Sequence, residues 1–239
     1  MRFLRLVSLV LAAALWACAT SSLSPAPGKG SIEGALRLVP REGVHPGHAA
    51  GGPYASIRFR DVKFVDYDHP GFAVVYLEGR PAPGGTARLA IRATGLGPRF
   101  DPPAEAMGAS GVLLLVNETD HPHAISCPSM SLLRRLDPGA TAEIATPPGG
   151  AHACYLLDAP DTQASLFVSP GPFAVVSGDG DWAIRDVDPG RATAVAWHPR
   201  FPSAARAIEV KAGGILRVDF DLRVDAPEQA RAGGSDAAP

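Results

Sequence analysis

Apolar and polar residues alternate along much of this chain with a period of two. In residues 55–66 (ASIRFRDVKFVD), Ile57 and Phe59 are opposed to Arg58 and Arg60, and the alternation returns in residues 87–94 (ARLAIRAT). Such spacing places one set of side chains on a single face of a half-buried strand. Residues 31–39 (SIEGALRLV) read as a strand carrying Ile32, Ala35, Leu36 and Leu38, and 111–116 as an apolar strand. The run FAVVYLE at 72–78 is almost continuously apolar, which predicts a central strand. Toward the C-terminus, strands are predicted at 173–177, 182–186, 192–197, 207–211 and 216–222, separated by Asp-Gly, Pro-Gly and Gly-Gly turns.

Composition agrees. Glycine (26) and proline (24) supply about a fifth of the 239 residues without a collagen-like repeat, a pattern of short strands and tight turns. A hydrophobic content of 46% provides a core for one large or two small domains. The net charge of −2 leaves no basic stripe, so nucleic acid is excluded as a partner.

The first 18 residues have the form of an export signal. Arg2 and Arg5 precede an apolar run at 6–16, broken only by Ser8, and Leu15-Trp16-Ala17-Cys18 follows. Eleven residues are too few to span a bilayer as a helix. The Leu-x-Ala-Cys ending resembles a bacterial lipobox, which implies cleavage before Cys18, lipidation of its thiol and attachment to the membrane through that lipid. Ordinary cleavage without a lipid is the alternative. Either way the mature chain is exported, to the periplasm or the cell surface. Residues 19–30 then read as a flexible tether, and 225–239 as a disordered polar tail.

Chemistry-bearing residues concentrate in 111–127 (GVLLLVNETDHPHAISC) and 149–155 (GGAHACY). Taken in order, FAVVYLE, Phe100-Asp101-Pro102, Asn117 with Asp120 and His123, Cys154, and the run PFAVVSGDGDWAIRDVDPGRATAVAWHP resemble bacterial exported proteins of the methylamine-utilisation or plastocyanin-like type. That resemblance covers most of residues 30–222. It implies an all-β fold: a cupredoxin-like Greek-key sandwich combined with a prealbumin-like (Ig-like) β-sandwich. The second module's signature turns are matched by Asp179-Gly180-Asp181-Trp182, by Pro189-Gly190-Arg191-Ala192 with Ala192 in place of the usual aromatic, and by Trp197-His198. Its own first strands are missing near residue 170. The expected division is therefore a discontinuous prealbumin-like sandwich from 31–84 plus 170–224, with a cupredoxin-like module at 85–169 inserted. The ends at Gly84 and Pro170 are expected to lie adjacent.

A type 1 copper site takes two imidazoles, a thiolate and a weak axial group, commonly Met. By the resemblance, His123, six residues after Asn117, stands for the first imidazole and Cys154 for the thiolate. The loop that should supply the rest reads CYLLDAP; no histidine occurs between Cys154 and His198, and the last methionine is Met130. With Cys18 set aside, Cys127 and Cys154 remain, in loops that meet at one end of such a sandwich, and a disulfide between them is expected. It would contribute on the order of 3 kcal/mol. A rival set for zinc or copper is His121, His123, His152 and Cys154, which requires each pair to share a strand face; Pro122 interrupts the first pair, and Cys127 would remain a free thiol.

No catalytic constellation is expected. Ser126 and Ser129 read as turn residues near His123, and no GxSxG elbow is present. Asp179, Asp181, Asp186 and Asp188 read as turn carboxylates, His45, His48 and His69 as surface residues, and Trp197-His198 as a core tryptophan beside a turn histidine. The function expected is that of a non-catalytic binding or structural protein of the cell envelope, without a cofactor and with an unnamed envelope protein or polymer as partner. A copper-binding or electron-transfer protein with an altered ligand set is the alternative.

Overall fold

The computed structural model describes residues 25–41, 65–145 and 147–224, and these contain seventeen strands, one short 3-10 turn and no α-helix. Two strands come first, β1 (Gly30–Val39) and β2 (Val74–Glu78). Nine follow in the middle: β3 (Thr86–Thr94), β4 (Gly97–Asp101), β5 (Ala104–Gly108), β6 (Val112–Asn117), β7 (His123–Cys127), β8 (Leu132–Leu136), β9 (Thr141–Ala145), β10 (Gly150–Leu156) and β11 (Ala159–Ser169). The last six are β12 (Phe173–Val175), β13 (Asp181–Val187), β14 (Gly190–His198), β15 (Phe201–Val210), β16 (Ile215–Arg217) and β17 (Phe220–Arg223).

They assemble into four sheets. Sheet A is β13-β1-β16 with β17 also on β1, sheet B is β12-β2-β14-β15, sheet C is β5-β11-β10-β7-β8, and sheet D is β4-β3-β6-β9. β1 and β2 therefore pair only with strands that follow Ser169, while β3 to β11 pair among themselves.

Burial stacks the sheets in the order A, B, C, D. Ile32 and Leu36 of sheet A share a core with Val75, Leu77, Ala194 and Ala196 of sheet B. Leu89, Ile91, Leu113 and Leu115 of sheet D share another with Ile125, Leu156 and Leu166 of sheet C. Between them, Val74, Tyr76 and Val195 from the far side of sheet B pack on Ala106 and Phe167 of sheet C. This explains the unbroken run in FAVVYLE: alternate residues of β2 point to opposite faces, and both faces are covered. The middle layer is aromatic, with Phe167 centred 4.5 Å from Trp197 and 5.5 Å from Tyr76. Trp197, expected as a core residue, packs half-buried against this middle layer, between sheets B and C.

The chain leaves β2 and returns to β12 side by side. The Leu77 N–H donates to Pro172 O at 2.9 Å, and a Cβ at Gly171 would come within 1.9 Å of Leu77 O, so only glycine fits there.

The strand expected at 216–222 is two strands, β16 and β17, both parallel to β1. The break falls where Val218 crosses Gly34: the Val218 N–H donates to Glu33 O, and a Cβ on Gly34 would meet Val218 O at 1.8 Å. Asp219 then accepts the Ala35 N–H at 2.8 Å, so a side chain replaces one rung of the ladder.

The tether is also corrected at its end. The Ala26 N–H donates to Asp186 Oδ1 at 2.7 Å and Lys29 Nζ to Asp188 Oδ1 at 2.6 Å, fixing the chain before β1 begins. Cys18, His45, His48, residues 55–64 of the strand expected at 55–66, and the tail 225–239 lie outside the described residues.

Candidate functional site

The free end of the C–D sandwich, where β6 turns into β7 and β10 into β11, gathers the polar residues singled out in the sequence. Asn117 ends β6 fully buried. Its Nδ2 donates to His121 O at 2.7 Å and Leu136 O at 3.0 Å, while its Oδ1 accepts the Thr119 N–H at 3.0 Å and the Thr119 hydroxyl at 2.8 Å. One side chain thereby ties two backbone groups of the loop and the end of β8 together, the reason asparagine suits such a position.

His123 opens β7 and faces inward, 6% exposed. Its Nδ1 lies 2.5 Å from Asp158 Oδ2 and its Nε2 lies 2.9 Å from Thr119 Oγ1. Burial pushes the Asp158 carboxyl up, but its hydrogen bonds to His123 and to backbone N–H groups outweigh that and hold it below the usual aspartate range. Asp158 and Thr119 are functional-looking residues that sequence reasoning missed. Asp158 lies in CYLLDAP, the loop in which a second imidazole was sought, and a carboxylate there is what faces His123.

Cys127 and Cys154 form a disulfide, with an S–S distance of 1.96 Å and Cα atoms 4.2 Å apart. Their position differs from the expected one. The β7–β10 register, Tyr155 opposite Ser126 and Leu156 opposite Ile125, continues to Cys154 opposite Cys127, so the bridge joins neighbouring strands inside the core and not loops at the end. Both cysteines are fully buried. His123 stands four residues along β7 from Cys127, roughly 13 Å at about 3.3 Å per residue.

The rival ligand set is not assembled. His121 is exposed beside Asp120 Oδ1 at 2.6 Å, outside the strand that holds His123. His152 and Cys154 do share the inner face of β10, but His152 is occupied by Ser129 Oγ at 2.8 Å and Pro148 O at 2.6 Å. Among the described residues, no three His, Cys, Asp or Glu side chains converge as metal ligands would. The donors therefore do not fit a type 1 copper ion: the sulfur is bonded to sulfur, the imidazole is about 13 Å along the strand, and both its nitrogens already face partners.

His69 sits exposed 3.0 Å from Asp66. His198 is buried; it accepts the Arg200 N–H through Nδ1 and donates from Nε2 to Pro70 O, each at 3.1 Å. Ser126 faces outward on β7, whereas Ser129 belongs to the 3-10 turn Pro128–Met130 and is bonded to His152, not to the His123 nearer in sequence.

No family model matches the sequence, and no curated protein matches it. Among solved structures, a purple cupredoxin from Nitrosopumilus maritimus is similar over 35% of this chain and 99% of its own, at 19% identity and a TM-score of 0.31. An amicyanin variant in its Cu(I) form is similar over 40% of this chain and 98% of its own, at 8% identity and a TM-score of 0.30. A blue copper oxidase from Nitrosomonas europaea is similar over 37% of this chain and 39% of its own, at 16% identity and a TM-score of 0.28. These are weak, partial likenesses to cupredoxins.

Proposed function

We propose that this is a non-catalytic, exported, lipid-anchored protein with a binding or structural role at the cell envelope. Its cupredoxin-like sandwich (85–169) is inserted in a prealbumin-like one (31–84 plus 170–224), and its metal site has given way to a disulfide and a hydrogen-bonded loop end. The observation that carries this reading is the bond between Cys154 and Cys127, because a disulfide sulfur is no thiolate ligand. The Asn117, Thr119, His123 and Asp158 network supports it by giving the loop end internal partners in place of an ion. The anchor rests on Arg2, Arg5, the apolar run 6–16 and Ala17-Cys18. The partner is an envelope protein or polymer.

The test is metal analysis of the purified protein together with a thiol titration under native conditions. The expected result is no stoichiometric copper and no titratable thiol from Cys127 or Cys154. One copper per chain with two reactive thiols would overturn the proposal in favour of a copper-handling protein.

A further inference from the structure

We infer that Ser129 is a base-activated nucleophile, an acceptor for acyl groups from esters, which goes beyond the envelope-binding reading. Pro148 O can only accept, so the His152 Nε2 facing it at 2.6 Å carries the proton. In the neutral imidazole that leaves Nδ1 with a lone pair, and it is Nδ1 that meets Ser129 Oγ at 2.8 Å. Serine therefore donates to a base whose tautomer and ring orientation are set by a third group. This is the order of roles, nucleophile to base to orienting group, that activates a hydroxyl.

Burial divides the pair usefully. His152 is 7% exposed and held in β10, so its ring cannot turn away, while Ser129 is exposed and reachable. The serine is fixed as well. It lies in a single 3-10 turn that follows Cys127 directly, so the disulfide anchors one side, and on the other Ser131 has φ of 52° with its N–H donated to Pro128 O. Ser126, on the same segment, has no histidine partner among the described contacts and is the internal comparison.

The step balances with an ester as donor. Oγ attacks the ester carbonyl carbon and its proton passes to His152 Nδ1; the ester C–O bond breaks, and the departing alkoxide takes that proton and leaves as the alcohol. Ser129 keeps the acyl group as its own ester. No oxidant or reductant is required.

The experiment exposes the full-length folded protein to p-nitrophenyl acetate and, separately, to a fluorophosphonate, and maps the modified residue by peptide mass. One adduct per chain is expected, on Ser129, formed at least about 100-fold faster than in the urea-unfolded chain, the size of a general-base contribution. Ser129→Ala, at an exposed position, should abolish it and Ser126→Ala should leave it unchanged. His152→Gln should slow it to the unfolded rate, with circular dichroism confirming that the fold persists. Should His152→Gln unfold, the comparison of Ser129 with Ser126 in the wild-type protein still decides. Equal labelling of the two serines, or labelling no faster than in urea, overturns the inference.

Discussion

Removing the Cys127–Cys154 bridge separates its chain-entropy contribution from its packing contribution. The cysteines are 27 residues apart, and tying such a loop in the unfolded chain corresponds to about 3.5 kcal/mol at 25 °C. Both sulfurs are fully buried in the core that holds Ile125, Leu156 and Ala164, so replacing them by alanine leaves two methyl-sized voids at about 1 kcal/mol each. Reduction alone keeps the sulfurs in place and should cost about 3.5 kcal/mol, whereas the Cys127→Ala/Cys154→Ala double variant should cost roughly 5.5. Urea titration followed by circular dichroism and tryptophan fluorescence measures both, and the denaturant slope should rise because an uncrosslinked chain exposes more surface. A loss under about 1 kcal/mol on reduction would refute the reasoning. It would mean that the hydrogen bonds joining β7 and β10 already hold the two strands and the bridge adds nothing.

Phe167→Ala should cost about 3 to 5 kcal/mol and shift the Trp197 emission to the red, because the ring centred 4.5 Å from the indole is the main contact of sheet C with sheet B; unchanged emission and stability would contradict the stacking of the two sandwiches. Burial holds the His198 pKa below the ordinary histidine value near 6.5, outweighing its bond to Pro70, so the unfolded chain binds the extra proton first. Stability should then be fully present above about pH 6.5 and be lost as pH falls below it, and His198→Gln should flatten that slope in urea titrations at pH 7.5 and 5. A slope that survives the substitution assigns the effect elsewhere. Cys18→Ser should release the protein from the membrane fraction or block its processing, and unchanged partitioning would sink the lipid anchor.

The strands were legible where one period dominated. β1, β2, β3 and β6 fall on the segments that alternate or run apolar, β13 falls between the Asp-Gly and Pro-Gly turns, and β14 starts at the second of them. The missed elements have identifiable causes. β5 follows Phe100-Asp101-Pro102 and contains only Ala and Met as apolar residues, too little for a pattern. β8 reads LLRRL and is exposed at the edge of sheet C, so burial never wrote a period into it. The division of β16 from β17 depends on Val218 pressing against Gly34, a contact 184 residues distant that no local window contains.

The cysteine pairing was legible by elimination, but the surroundings of the pair were not, for a reason of register. On neighbouring antiparallel strands every residue has one opposite partner, and for β7 and β10, which β8 and β9 separate in the chain, that assignment depends on how distant strands pack and not on composition. The β7–β10 register that sets Cys154 against Cys127 also, continued outward, carries Asp158 to the position facing His123, and it brings His152 level with the turn holding Ser129. A single register thus closes the disulfide, supplies the buried histidine with a carboxylate and creates the serine–histidine pair. A shift of one residue would turn Cys154 and His152 to the outer face together, since side chains alternate along a strand. The three features are therefore not independent, and a variant that breaks the bridge while retaining the His123–Asp158 contact would demonstrate that hydrogen bonding, and not the disulfide, fixes this register.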